Sequence, residues 1–358
     1  MAILVTGGAG FIGSNFVLDW LACSEELIVN FDKLTYAGNL ENLKTVQKNK
    51  AHLFIQGDIK EEHVLVDLLT THHIRAVIHF AAESHVDRSI LGPEEFIQTN
   101  ILGTFNLLQA VLQYWRGLQG SDKQQFRFIH VSTDEVFGSL HSNAPPFTEL
   151  SLYKPNSPYS ASKASSDHLV RAFYQTYGVP AIITHCSNNY GPYQVPEKLI
   201  PLCIHNALVG KAIPIYGNGQ QIRDWLYVKD HCSALRCVLA NGQVGESYNV
   251  GGSNEKTNCE VVKTICDILD SKQPRQDGRS YREQVIYVED RPGHDWRYAI
   301  DASKIEKTLG WKSIETFISG IEKTVVWFLE NRNWVVSSRS FSSDEKRDCY
   351  GTMELPYA

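Results

Sequence analysis

The chain contains no run of about 20 apolar residues, the length a helix needs to span a bilayer. It also lacks a surplus of positive charge: 34 Lys and Arg stand against 40 Asp and Glu, a formal net charge of −6. The first absence speaks against a membrane partner. The second leaves no basic footprint for nucleic acid, so an anionic ligand must find its positive charge inside a pocket. No charged and then apolar leader precedes Ala2-Ile3-Leu4-Val5-Thr6, and a cytoplasmic location is expected. The 8 cysteines include no C-x-x-C pair and no zinc-ribbon spacing, so neither a metal site nor a disulfide framework is expected.

What is present is an alternation of short apolar runs and helical patterns. Strands are expected at 2–6, 27–32, 52–57, 76–81, 127–132 and 181–186, with helices at 10–22, 61–71, 94–116 and 159–177. This β-α-β rhythm predicts an α/β fold with a Rossmann-type doubly wound parallel sheet. Such sheets bind ligands at the carboxyl ends of their strands, where strand order reverses. Beyond about residue 190, Pro192, Pro196, Pro201, Gly217, Gly219 and Gly251-Gly252 break the chain into shorter elements. Helices are expected again at 258–270 and 316–331. The reading is a first domain over 1–190, a smaller C-terminal α/β substrate-binding lobe over 191–334 with chain crossings between the two, and a polar tail over 335–358, loosely ordered.

Gly7-Gly8-Ala9-Gly10-Phe11-Ile12-Gly13 joins the first strand to the first helix. Glycines at positions 7, 10 and 13 permit a tight turn and let backbone N–H groups approach a pyrophosphate at the helix N-terminus. Asp32 ends the next strand, 19 residues beyond Gly13, near the spacing at which an acid binds an adenosine ribose. A carboxylate there repels a 2′-phosphate, so the cofactor expected is NAD. Asp58-Ile59 follows a strand and suits an adenine. Phe80-Ala81-Ala82 puts small residues where a backbone would lie against a dinucleotide.

Tyr159 and Lys163 stand four apart at the start of a helix, on one face. A phenol is a poor base at neutral pH, and a nearby ammonium together with a nicotinamide cation would lower its pKa. Asp134 and Glu135 follow the strand end Ser132-Thr133. Two adjacent acids there suit an elimination, one protonating a leaving hydroxyl and the other removing a carbon-bound proton.

The glycine fingerprint, Ser132-Thr133 and the Tyr159/Lys163 pair together resemble the extended short-chain dehydrogenase/reductase superfamily. Further strings narrow the likeness: Val131–Val136, Pro158–His168, Asn188-Asn189-Tyr190-Gly191-Pro192-Tyr193, Pro196-Glu197-Lys198-Leu199-Ile200-Pro201, 217–225, 290–295 and 82–89 are similar to those of the bacterial dTDP-glucose 4,6-dehydratases. The resemblance implies that Tyr159, with Thr133 and Lys163 beside it, deprotonates the sugar's 4-hydroxyl, that Glu135 takes the C5 proton, and that Asp134 protonates the departing 6-hydroxyl. NAD would take hydride from C4 and return it to C6. Lys33, Leu34, Thr35, Ser84, Thr99 and Asn189 would complete the cofactor site. Ser84, Thr133, Asn188, Glu197, Lys198, Leu199, Pro214, Ile215, Tyr216, Arg223, Asn258, Asp290, Arg291 and His294 would surround the sugar nucleotide. The alternatives are a 4-epimerase, a dehydratase of UDP-hexoses, and a non-catalytic dinucleotide sensor. Phe137 stands where the family commonly has Tyr, and the tail departs from the family's ending, which leaves any contact by Tyr350 open. A homodimer is expected through helices 94–116 and 159–177, as is typical of the family.

Overall fold

Ala2, Ile3, Leu4 and Val5 are all buried, which marks the first strand as one covered by helices on both faces. The structure, a computed structural model, describes residues 1–290 and 293–335. In chain order it holds β1 (Ala2–Thr6), α1 (Phe11–Cys23), β2 (Leu27–Asp32), β3 (His52–Gln56), α2 (Glu62–Thr71) and β4 (Ile74–His79). Helices α3 (Val86–Leu91), α4 (Glu94–Phe96), α5 (Thr104–Gly117) and α6 (Gly120–Gln125) follow. Then come β5 (Arg127–Thr133), α7 (Pro158–Tyr177), β6 (Ala181–Cys186) and β7 (Asn188–Tyr190). The remainder runs through α8 (Leu199–Leu208), β8 (Ile213–Tyr216), β9 (Ile222–Tyr227), α9 (Val228–Asn241), β10 (Ser247–Val250) and β11 (Glu255–Thr257). It closes with α10 (Asn258–Lys272), β12 (Val285–Val288), α11 (Ser303–Leu309) and α12 (Phe317–Glu330).

Seven strands form one sheet in the order β10-β6-β5-β4-β1-β2-β3, with every pairing parallel. Strand order reverses between β1 and β4, so the ends of those strands open the crevice expected of a doubly wound sheet. Alternation along β1 divides the core. Ile3 and Val5 pack with Phe16 of α1 and Leu235 of α9, whereas Leu4 packs with Leu65 of α2 and Leu107 of α5. A separate core of Ile204, Ile215, Val262, Ile265 and Ile321 fills the smaller lobe.

Several expectations shift. The helix expected over 94–116 is α4 and α5 joined through a π-helical stretch, Ile97–Gly103. β4 ends at His79, which frees Ala81 and Ala82 from the sheet. The chain crosses the expected boundary at 190 both ways: β10 pairs with β6 and α9 packs on α1, while β7 pairs with β9 in a small three-stranded sheet. Val335 is buried against the smaller lobe's core. The remainder of the expected tail, with Tyr350, lies outside the described residues.

His79, His130 and His231 are fully enclosed. His79 sits between the hydroxyls of Thr6 (2.7 Å) and Thr104 (3.0 Å) and links β1 to α5. Burial disfavours the imidazolium of His130 and His231, lowering their pKa values from 6.5 to about 4 and about 3. A depressed histidine pKa means that the unfolded chain gains protons first. The stability these groups contribute is therefore full above pH 6.5 and is lost as pH falls toward their folded values. Between pH 7 and pH 5 the His231→Gln variant should lose roughly 2 kcal/mol less stability to denaturant than the unsubstituted chain; equal losses would contradict the buried neutral state.

Candidate active site

The turn between β1 and α1 brings backbone to backbone. Gly7 has φ of 75°, and a Cβ there would lie 2.6 Å from the Ala81 nitrogen. A Cβ on Gly13 would lie 2.2 Å from the Gly7 carbonyl oxygen, so only hydrogen fits. Gly10 caps α1 without a side-chain hydrogen bond, and no acid stands in the first turn, which Phe11 and Ile12 open. The first N–H groups of the helix thus face the cleft as donors for an anion. Asp32 accepts hydrogen bonds from the Ala9 and Leu34 nitrogens, each at 2.8 Å. Gly7, Gly10, Phe11, Ile12, Gly13, Asp32, Lys33, Thr35, Asp58, Ile59, Phe80, Ala81, Ala82, Ser84 and Thr99 all line one cleft. Leu34 does not; it turns at φ of 59° and packs on the domain core. Lys33 pairs with Asp58 at 2.9 Å. Against the push of burial, this contact and the Lys60 N–H hold the Asp58 carboxyl below its ordinary range.

The catalytic candidates arrive from two elements. Ser157 and Ser160 form a capping box, and Pro158 opens α7, so Tyr159 and Lys163 occupy its first turns and face the end of β5. Lys163 is buried, and its Nζ donates to the Val131 carbonyl at 2.9 Å. Burial lowers its pKa, while Asp167 one turn along acts in the opposite sense. Beyond Val131 the strand delivers Thr133, Asp134 and Glu135 into the same cleft. Burial, then Glu135 and Asp224, push the Asp134 carboxyl well above the ordinary range, with Arg223 and Thr133 opposing. That direction favours the protonated acid, and among the described residues its Oδ2 is buried without a hydrogen-bond partner. Thr133 Oγ1 donates to Asp134 Oδ1 at 3.4 Å, and its hydroxyl lies near enough to Tyr159 to draw the phenol's pKa down. Tyr159 departs from expectation: burial and the charge of Glu135 push its phenol well above the ordinary value, with only Thr133 pulling down. The Lys163 ammonium is turned to Val131, not toward the phenol as an ion pair would require.

On the facing side, Asn188, Asn189 and Lys198 line the cleft. Asn188 Oδ1 is buried and unpartnered among the described residues, a polar atom suited to a ligand donor. Asn189 is held by His231 Nδ1 at 2.9 Å. Lys198 Nζ donates to the Ser84 carbonyl at 3.1 Å. Arg223 is buried, donates to the Ile222 and Asp295 carbonyls and lies over the Tyr298 ring at 4.3 Å. It is close enough to act on Asp134.

Other candidates are placed differently. Glu197 turns to His85 (3.7 Å) and Arg88 (3.5 Å), and Leu199 packs on the smaller lobe's core. Alternation along β8 buries Ile215 in that core, so its side chain is withdrawn from any ligand; Pro214 and Tyr216 lie on the other face. Asn258 begins α10, and its N–H bonds to the Gln221 carbonyl. Asp290 accepts from Gln221 (2.9 Å) and pairs with His294 (2.6 Å). Arg291 lies outside the described residues. Sequence reading missed Asn100, which holds both the N–H and C=O of Glu83 and also Ser162, fixing the β4 loop against α7. It also missed Tyr298, buried beside Arg223 within the influence of Glu135. Neither belongs to a readable motif; the fold brings them in.

The sequence model of the family described as "GDP-mannose 4,6 dehydratase" matches residues 4–324. A curated dTDP-glucose 4,6-dehydratase of Xanthomonas campestris pv. campestris (strain B100) is 58% identical over 333 residues, 93% of this chain and 94% of that protein. The chain belongs to the dTDP-glucose 4,6-dehydratase family. The crystal structure of the Streptomyces venezuelae dTDP-glucose 4,6-dehydratase, with NAD and TYD bound, aligns with a TM-score of 0.86 and 44% identity over 94% of this chain and 100% of that one. The Thermotoga maritima UDP-glucose 4-epimerase, solved with UDP-glucose, aligns at 0.81 but with 28% identity, covering 93% and 100%. The dehydratase family thus shares its frame with epimerases. At neutral pH, an infrared difference spectrum between this chain and its Asp134→Asn variant should contain the carbonyl stretch of a protonated carboxyl. A carboxylate band alone would show that burial does not keep Asp134 neutral.

Proposed function

We propose that the chain converts dTDP-glucose to dTDP-4-dehydro-6-deoxy-glucose and water, with NAD retained through the cycle. The observation that carries this reading is Asp134, buried where its neutral acid is favoured, set beside Glu135 and Tyr159 in one cleft. The residues present fit NAD: a backbone cradle that a Cβ on Gly7 or Gly13 would fill, an uncapped helix start, and Asp32 at the next strand's end. NAD, when bound, supplies the hydride acceptor and donor and a positive charge that favours the phenolate of Tyr159.

The chain's own groups do the proton work. Tyr159 takes the proton of the sugar's 4-hydroxyl, steadied by Thr133. Once C4 is a ketone, C5 is acidic, and Glu135 removes its proton while Asp134 gives one to the departing 6-oxygen. When C6 is reduced, Glu135 returns its proton to C5, so each turnover leaves a proton on Tyr159 and takes one from Asp134. Thr133 bonds to Asp134 and lies beside Tyr159, and is placed to pass the proton back. Asn188, Lys198 and Arg223 meet the nucleotide diphosphate, and the guanidinium fork of Arg223 suits paired phosphate oxygens. Residues 1–190, joined by α9 and β10, hold the cofactor, and the rest of 191–334 holds the substrate.

We also propose a cytoplasmic dimer. Free buried thiols at Cys186, Cys203, Cys232, Cys259 and Cys266 suit a reducing compartment. Leu91, Ile97, Leu102 and Phe105 expose apolar surface along α3 to α5, beside α7. Light scattering should give twice the chain mass, and one chain mass would refute the dimer.

With dTDP-glucose the expected product is the 4-keto-6-deoxy sugar nucleotide, formed faster than from UDP- or GDP-hexoses. Recovery of dTDP-galactose alone would overturn the reading. Tyr159→Phe should lower kcat by about 10²–10⁴ with no transient NADH absorbance. Glu135→Gln should allow that absorbance yet block loss of water. Asp32→Ala should weaken NAD binding, measured by calorimetry, by at least about tenfold; unchanged affinity would displace Asp32 from the cofactor site.

A further inference from the structure

Behind the catalytic strand end lies a buried polar cluster that the proton steps do not use. Asp167 of α7 is at its centre, 2% exposed. Its Oδ2 accepts from Ser132 Oγ at 2.9 Å and from the Tyr153 hydroxyl at 3.0 Å, and stands 3.3 Å from His185 Nε2. Its Oδ1 stands 3.2 Å from His130 Nε2. The Tyr153 hydroxyl also meets His185 Nε2 at 2.7 Å, and Phe137 walls the cluster with its ring centroid 4.9 Å from that of His185. Nothing in dehydration chemistry calls for this group, yet two of its ties reach the catalytic machinery.

The first tie is geometric. Lys163 and Asp167 are one turn apart on α7, and they grip consecutive residues of β5: Lys163 the Val131 carbonyl, Asp167 the Ser132 hydroxyl. The next three residues of that strand are Thr133, Asp134 and Glu135. The second tie is electrostatic. Lys163 is removed from water, and among the described residues no carboxylate lies within ion-pair distance of its Nζ. A buried ammonium without a counter-charge loses its proton easily.

We propose that Asp167 is a positioning residue of the reaction: its buried carboxylate keeps the Lys163 ammonium charged and ties the strand end bearing Thr133, Asp134 and Glu135 to the helix bearing Tyr159. The proposal rests on the dehydration assigned above. The groups facing Asp167 are His130 on β5, His185 on β6, Ser132, Tyr153 and Lys163. Behind them stand His79, 5.3 Å from His130 by ring centroids, and His168, 5.2 Å from Tyr153. Cys186 adjoins Lys163, its thiol pushed by burial to about 12. His130 is held neutral by burial, so Asp167 brings the negative charge, and the imidazoles of His130 and His185, 3.2 and 3.3 Å away, hold its carboxyl below the ordinary range against the push of burial.

The sign follows. Burial has already lowered the Lys163 pKa, and loss of the negative charge lowers it further. In Asp167→Asn the alkaline limb of kcat should move to lower pH by about one unit or more. At neutral pH kcat should fall about tenfold, with KM changed less than about twofold because Asp167 touches no ligand. Competitive acetylation of Lys163 by trace acetic anhydride, followed against pH by mass spectrometry, should show the same downward move without requiring turnover. Tyr153→Phe keeps the charge and should leave both midpoints in place. A folded Asp167→Asn variant with lower melting temperature but unmoved midpoints overturns the proposal. Should that variant not fold, Asp167→Glu must keep the alkaline limb while lowering kcat; a moved limb or an unchanged kcat overturns it. A wild-type chain inert toward dTDP-glucose, with the acetylation midpoint still moved by Asp167→Asn, defeats the substrate reading and not this one.

Discussion

Three ionisable groups, Asp134, Tyr159 and Lys163, are taken out of water together at the carboxyl end of β5. Burial is the largest influence on each, and it drives each toward its neutral form: the carboxyl and the phenol keep their protons, and the ammonium is pressed to lose its own. The neighbourhood is arranged in answer to that pressure. Lys163 bonds to a strand carbonyl, Thr133 bonds to Asp134 and lies beside Tyr159, and Arg223 is near enough to act on Asp134.

The sheet supplies the frame for this arrangement. Parallel pairing of β1, β4, β5 and β6 brings the ends of those strands to one edge, and the glycine turn after β1 lets Ala81 come close enough to shape the cleft wall. Helix α7 is started by its capping box, so Tyr159 sits in its first turn instead of along its middle. The returning β10 and α9 close the sheet on the side of β6 and α1. Crossings of this kind couple the two cores, and β7, one residue beyond Ser187, carries Asn188 and Asn189 into the cleft from the smaller lobe's sheet.

A shared frame with epimerases leaves the chemistry to a few side chains. Tyr159 and Lys163 suit any oxidation at a sugar carbon. Asp134 is what distinguishes elimination, because a proton donor at neutral pH requires a carboxyl that burial keeps neutral. That property belongs to its surroundings: Glu135 follows it directly in the chain, while Asp224 and Arg223 come from β9, some ninety residues later.

Much of the site was legible in the chain, because local chemistry dictates it. The glycine spacing, Asp32 after the second strand, the Tyr159/Lys163 turn and the Asp134-Glu135 pair each follow from the needs of a turn, a helix face or a strand end, and those needs are local. The alternation of strands and helices likewise sufficed for the parallel sheet. Tertiary structure decided the rest, because burial and long-range pairing have no local signal. It withdrew Ile215 into a core and turned Glu197 toward His85 and Arg88. It brought Asn100 and Tyr298 to the site from segments without a motif, and it returned β10 to the sheet beside β6 from within the expected second lobe. Most of all, it enclosed Asp134, Tyr159 and Lys163 together: their identities were set by the sequence, and their protonation by the water the fold excludes.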